Sequence, residues 1–221
     1  ASAYLANEGY FNSYGISYDF PNLVPNWDKI VSGEWKGTNW FDEITNKNAP
    51  IQNHTISIAG GSEKSSYFTS FSFSREEGVL GKPAVPTSDK FTFRLNTDQV
   101  IYSAGGRDII KIGESVNYTY GRRTGIINDS GRATNYLSMA MNGSPLMPLR
   151  DENGDYHGPI GLSPLSPNPI ALLDYNSNNE AKSHTLAAQG NISIEPIKGL
   201  TYRGSFGVTV IGNSGRKYIP K

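Results

Sequence analysis

The sequence predicts an all-β fold: antiparallel, up-and-down strands forming part of a large transmembrane β-barrel, with long irregular extracellular loops. Three observations predict it. Six stretches alternate apolar and polar residues with a period of two, the pattern of a strand with one apolar and one polar face. The connections between them alternate short and long, as in outer-membrane barrels, which carry short turns on one side of the membrane and long loops on the other. None of the 13 prolines falls inside an alternating stretch, Pro196 lying just past one end, and this suits ladder-bonded strands.

The first stretch covers His54 to Gly60, with Ile56 and Ile58 on one side. From Lys64 to Ser74, Tyr67, Phe71 and Phe73 alternate with serines, and Phe68 is the exception. From Lys90, Phe91, Phe93 and Leu95 alternate with Thr92, Arg94 and Asn96; Val100 and Tyr102 then fall on the opposite parity, which a β-bulge or a strand end explains. From Asp108, Ile110, Ile112, Val116, Tyr118 and Tyr120 share one side, with Glu114 intruding. From Thr185, Leu186, Ala188, Ile192 and Ile194 share a side. From Leu200, Tyr202, Phe206, Val208 and Val210 do so. Stretches of about 11–15 residues exceed the ~9–11 tilted residues that cross a bilayer. Apolar side chains then face lipid, and Arg94, Lys111, Gln189 and Arg203 line a wet lumen.

Four segments follow. Residues 1–53 form an extracellular loop. Residues 54–121 hold four barrel strands with one medium loop. Residues 122–183 form a long extracellular loop, with one short helix expected at Asn135 to Met141. Residues 184–221 hold two barrel strands and the start of the next loop. Loops this long are usually functional or disordered.

Composition excludes other classes. The chain has 221 residues, 20 basic and 20 acidic, so it carries no excess of cations for coating nucleic acid. It has no cysteine, which excludes disulfides and thiolate chemistry. No apolar run reaches the ~18 residues of a membrane helix. The start, Ala1-Ser2-Ala3-Tyr4-Leu5, has neither the basic nor the apolar region of a signal peptide.

No catalytic constellation stands out, so no enzyme and no cofactor are expected. His54, His157 and His184 lack the i+4 partner of a zinc helix. Gly60 to Ser65 has the wrong spacing for a phosphate loop and reads as a turn. Asp151-Glu152-Asn153-Gly154-Asp155 resembles part of a calcium loop, but its sixth position is Tyr156 rather than glycine, so an Asn-Gly turn is favoured over a metal site. Candidates for ligand or lid contact are Trp35, Trp40, Tyr136, Asp151, Asn153, Asp155 and Tyr156; loop aromatics stack on sugar rings or, more plainly, pack their own loop. Arg122 and Arg123 end a strand at the outer rim, where they are solvated or meet an anionic ligand or lipid headgroup.

Asn39-Trp40-Phe41-Asp42-Glu43-Ile44 and Ala49-Pro50-Ile51-Gln52-Asn53-His54 begin an ordered series of motifs. It continues through Glu77-Gly78-Val79-Leu80, Phe91-Thr92-Phe93-Arg94-Leu95-Asn96, Pro145-Leu146-Met147-Pro148, Asn168-Pro169 and Ile194-Glu195-Pro196-Ile197-Lys198-Gly199. Over residues 35–221 this series resembles the barrel of SusC/RagA-type TonB-dependent transporters. The resemblance implies an importer of oligosaccharides or peptides in the outer membrane of a Gram-negative, Bacteroidota-type bacterium. Its implied partners are a SusD-like lipoprotein lid, the rest of the barrel with its plug, outer-membrane lipid, and TonB acting through a box not in this chain. The chain is therefore expected to be an internal piece of a longer polypeptide. The competing expectation is a soluble or surface-attached β-rich carbohydrate-binding module. The two differ in what the apolar face touches.

Overall fold

The computed structural model describes residues 19–125, 140–160, 168–175 and 178–217. Its centre is one six-stranded antiparallel sheet in which every strand pairs with its chain neighbours, in the order β1 to β6. The strands are β1 (Ile51–Ser62), β2 (Ser65–Glu77), β3 (Thr87–Ala104), β4 (Arg107–Thr124), β5 (Glu180–Ile197) and β6 (Leu200–Arg216). All six expected strands are present; β1 and β2, of 12 and 13 residues, keep to the expected 11–15, and β3 to β6 exceed it at 17 or 18. The alternation marks only the stretch where one face is apolar. Pairing continues past it into polar residues.

The three short turns lie at one end of the sheet. The β3–β4 turn is Gly105-Gly106, both at positive φ (57° and 70°), a conformation that glycine adopts without steric cost. The sheet is open, because β1 and β6 each pair on one side only.

The register aligns the alternating residues into rows across all six strands. One row is Ile56, Phe71, Phe93, Tyr118, Leu186 and Val210. The next is Ile58, Thr69, Leu95, Val116, Ala188 and Val208. On the opposite face, Ser57, Ser70, Arg94, Asn117, Ala187 and Thr209 form a polar row. A slip of one residue in any pair would turn that strand's apolar set to the wrong face, so the pattern fixes the register.

The irregularities have local causes. Tyr102 pairs with Ile110 after Val100 pairs with Lys111, so Ile101 is the extra residue of a bulge, and Tyr102 is returned to the apolar face. Pro196 lies inside β5, a correction to its expected place beyond the strand. Pairing skips from Ile194 to Ile197 there, because proline has no N–H for the ladder. Glu114 does sit on the apolar face, opposite Thr97 and Gly190, where it accepts a hydrogen bond from Thr97 Oγ1 at 3.4 Å.

The long connections carry short helices: α1 (Phe20–Leu23), α2 (Trp27–Ser32), α3 (Trp40–Ile44) and α4 (Pro169–Tyr175). Asn39 caps α3 by accepting the Asp42 N–H at 3.3 Å. Asn168 caps α4 by accepting the Ile170 N–H at 3.0 Å, with Pro169 placed where its missing N–H costs nothing. The expected helix at Asn135 to Met141 lies mostly outside the described residues; residues 140–142 are helical.

The buried core lies off the sheet. It is built from Phe20, Val24, Trp40 and Ile44 on one connection and Ala140, Leu146, Met147, Ile160, Ile170 and Leu173 on the other. The sheet has no comparable interior. Its apolar side chains are exposed on the edge strands, as at Ile56 (70%), Phe206 (76%) and Val210 (57%), and exposed or half-buried on the central ones.

Candidate functional site

Two surfaces carry chemistry: the two-faced sheet and the cap formed by the long connections. The sheet fixes where the cap can act. A continuous row of rings crosses five strands at the long-connection end of the apolar face. His54 stacks on Phe73 at 6.4 Å between centroids, Phe73 meets Phe91 at 4.8 Å, Phe91 meets Tyr120 at 6.0 Å, and Tyr120 meets His184 at 4.9 Å. The Tyr118 hydroxyl and His184 Nδ1 share a hydrogen bond of 2.8 Å. Near the short-turn end, Tyr102, Ile110, Ile194 and Tyr202 form a second row. Ile110 and Tyr120 are ten residues apart on β4. At ~3.3 Å per residue and a tilt of about 40°, the two rows stand about 25 Å apart along the barrel axis. That is the height of the apolar band of an outer-membrane barrel, bounded on both sides by aromatic girdles.

The polar face is hydrogen-bonded within itself. Ser115 donates to Asn96 at 2.8 Å, and Thr55 donates to Ser72 at 3.0 Å. At the short-turn end it borders a hollow of about 720 Å³ lined by Lys64, Asp98, Lys111, Asn191 and Arg203 among others.

The cap is interlocked by hydrogen bonds between residues far apart in sequence. Thr38 donates its N–H to Pro145 O at 2.8 Å and its hydroxyl to Met147 O at 2.7 Å. Trp40 Nε1 donates to Ser144 O at 2.9 Å. Gly37, at φ +91°, lets the two connections approach so closely that a Cβ there would lie 2.6 Å from Pro145 O. The Trp40-containing and Pro145-Leu146-Met147-Pro148 motifs are thus two halves of one contact.

The expected site residues separate on this framework. Trp40 is 3% exposed and belongs to the core, which corrects its assignment as a contact candidate: an indole buried in this cluster cannot stack on a ligand. Trp35 is half-buried. Asp151 Oδ1 accepts the N–H groups of Asn153 and Asp155 at 2.9 and 3.0 Å, so its carboxylate holds a hairpin turn closed by the Arg150–Tyr156 bridge. Asn153 and Asp155 are exposed on that turn. Tyr136 lies outside the described residues. Tyr156 lies under the Arg150 guanidinium, 4.4 Å from its ring centroid, and donates to Asp174 at 2.9 Å. It borders a hollow of about 310 Å³ with Asp42, Glu43, Lys47, Lys82, Arg150 and Ile170. A second hollow of about 550 Å³ is lined by Trp27, Asn22, Asn26, Asp28, His157 and Ile160. Trp27 stacks on Phe20 at 5.0 Å.

Burial, followed by the hydrogen bond to the Asp174 carboxylate, pushes the Tyr156 phenol above its ordinary value. The phenol holds its proton more tightly in the folded cap than in the unfolded chain. Its contribution is complete below the ordinary tyrosine range and is lost as pH rises through the raised value. Tyr156→Phe is expected to weaken the hairpin by about 1 kcal/mol, and it should also remove the alkaline limb of the hairpin's hydrogen-exchange protection.

Sequence reasoning missed the charged row beyond the ring belt. Arg75, Asp89, Arg122 and Lys182 are in register across β2 to β5 on the apolar side. Of the two rim arginines, only Arg122 points this way. Arg123 falls on the polar parity. Counting parity past the end of the apolar stretch would have revealed the row.

The class of molecule follows from these features. A one-layer, two-faced sheet whose apolar band ends in a ring belt on one side and in Tyr102 and Tyr202 on the other is part of the wall of a transmembrane β-barrel. Over 177 residues the chain is 32% identical to TonB-dependent receptor P26 of Formosa agariphila; the match covers 79% of this chain and 15% of that receptor. Its fold matches chains in structures of the RagAB peptide transporter (TM-score 0.64, 17% identity) and of the RagAB peptide importer in the open-open state (TM-score 0.61, 19% identity). Each match covers 96% of this chain and 25% of the other. No protein-family model matches. The resemblance to the barrel of SusC/RagA-type TonB-dependent transporters therefore holds in sequence, through a TonB-dependent receptor, and in fold, through RagAB. The chain spans a small part of the length of these relatives.

Proposed function

We propose that this chain supplies part of the barrel wall and of the extracellular vestibule of a TonB-dependent importer in the outer membrane of a Gram-negative, Bacteroidota-type bacterium. The observation that carries this is a largely apolar face about 25 Å tall, bounded by the ring belt at one end and by Tyr102 and Tyr202 at the other. Such a face is stable in hydrocarbon and not in water, so a soluble carbohydrate-binding module loses its support. A soluble sheet this size would have to cover Ile56, Phe71 and Val210, which are exposed.

With the apolar face in lipid, the polar face lines the lumen and meets the plug. The long connections form the extracellular cap, on which a SusD-like lipoprotein would sit. Trp35, Asp155 and Tyr156 are its best-placed contact candidates. Energy would come from TonB through a box outside this chain. Peptides and oligosaccharides are the two substrate classes, and the likeness to a peptide importer puts peptides first. The mechanism is selective passage: the cap and lumen offer hydrogen bonds, and no bond is made or broken.

The test is uptake by cells carrying the full-length receptor. Fluorescent peptides or oligosaccharides too large for porins should accumulate only with the receptor and an energised TonB system both present. Uptake that is unchanged on deleting the receptor gene contradicts the proposal. Glu114→Leu tests the lipid face in the same protein. Removing a carboxylate from the apolar band should raise the receptor's unfolding free energy in a bilayer by about 1 kcal/mol, read by urea titration.

A further inference from the structure

We propose that the charged row beyond the extracellular ring belt binds the phosphorylated headgroups of lipid in the outer leaflet. The proposal rests on the apolar face being the lipid face. Arg75, Asp89, Arg122 and Lys182 lie two residues beyond Phe73, Phe91, Tyr120 and His184 on their strands. That is about 7 Å further along each strand, which brings the long side chains from the hydrocarbon boundary to headgroup depth.

The row has a built order. Asp89 lies between Arg75 and Arg122, at 3.9 and 4.0 Å. Glu180 lies between Arg122 and Lys182, at 2.7 and 2.8 Å. Glu77 lies 3.9 Å from Arg75, and Arg216 pairs in register with Glu180. The four cations thus outnumber the three carboxylates. The side chains of Asp89 and Glu180 are 12% and 17% exposed, against 44%, 44% and 40% for Arg75, Arg122 and Lys182. The carboxylates lie beneath and the cations above. The carboxylates therefore hold the cations in place before a ligand arrives, which lowers the ordering cost of binding. Each guanidinium has five N–H donors, more than these carboxylates engage, and the remainder match the oxygens of a phosphate.

The test uses the full-length receptor, delipidated in detergent and titrated with phosphorylated lipid A or its dephosphorylated form, with bound lipid counted by native mass spectrometry. The wild type is expected to retain the phosphorylated form at least about tenfold better. Arg75→Gln with Lys182→Gln should abolish this preference, since two interfacial cations are worth about thirtyfold, while Lys198→Gln at the opposite end leaves it intact. Free pyrophosphate should not displace the lipid, because the acyl chains are held by the apolar face. Equal retention of the two lipids by the wild type, an unchanged preference in the double variant, or displacement by pyrophosphate at the lipid's own concentration overturns the proposal. Heat-dependent gel migration reads the barrel separately. A wild type that migrates as a barrel but ignores phosphate overturns this inference alone, and one that never forms a barrel overturns the wall as well.

Discussion

Trp40→Ala is expected to open the cap while leaving the barrel wall intact. The indole is 3% exposed and packs within a cluster drawn from residues 20–44 and 140–173. Deleting a buried tryptophan costs about 3–5 kcal/mol through lost burial and the cavity left behind. The Ser144 carbonyl also loses its donor. The cluster is small, so this loss is a large share of what holds the two connections together. In the full-length receptor, amide exchange at Met147, Leu173 and the Thr38 N–H should accelerate by a hundredfold or more, the scale of about 3 kcal/mol. Exchange in β3, β4 and β5 should not change. Trp40→Phe should fall between the two, keeping most of the packing and losing the hydrogen bond. If exchange in the cap is unaffected by Trp40→Ala, the cap is held by something other than this cluster.

The second large effect contrasts neighbours on β5. Ala188 lies in the row of Leu95, Val116 and Val208, near mid-height between His184 and Ile194, and Gln189 lies beside it on the polar face. Ala188→Arg places a charge in hydrocarbon and is expected to destabilise the receptor in a bilayer by about 2–4 kcal/mol. Gln189→Arg lies at the same depth but faces the wet side, and is expected to stay within about 0.5 kcal/mol of the wild type. The two positions share strand, depth and introduced residue. Only the direction of the side chain differs, so strand propensity cannot produce the contrast.

The strands were legible in sequence because a barrel wall is nearly two-dimensional. Each residue's environment is set by its parity and its height, and both can be counted along the chain. Phe91, Phe93 and Leu95 announce β3 without knowledge of any distant contact. Where parity breaks, the sequence marks the break but not its form. Val100 and Tyr102 signalled a fault, and only the pairing to Lys111 and Ile110 shows that Ile101 is the bulge. Beyond the band parity loses its marker: Arg122 and Arg123 read as a strand end at the outer rim, but both are polar, so the sequence did not show which of them shares a face with Arg75 and Lys182. For that reason the charged row on the lipid side was missed.

The cap was not legible, because its core joins residues about a hundred positions apart. A tryptophan that packs against a distant loop has the same local sequence as one that waits for a sugar. Trp40 was therefore grouped with Trp35 and Tyr156, although the structure buries it. Asp151 looked like a cation ligand because oxygen ligands and turn-forming carboxylates share the same residue types. The Asn153 and Asp155 N–H groups decide between them.

The central claim is that the Phe93–Tyr118–Leu186 face touches lipid and the Arg94–Asn117 face touches water. The chain has no cysteine of its own, so single cysteines can be placed along β4 in a full-length receptor cleared of any others. Ser115→Cys, Val116→Cys, Asn117→Cys and Tyr118→Cys, each labelled with a bimane and reconstituted with brominated lipid, sample two residues on each face at nearly one depth. Strong quenching at 116 and 118 with little at 115 and 117 is the expected result. Uniform quenching, or quenching at 115 and 117 instead, would contradict it.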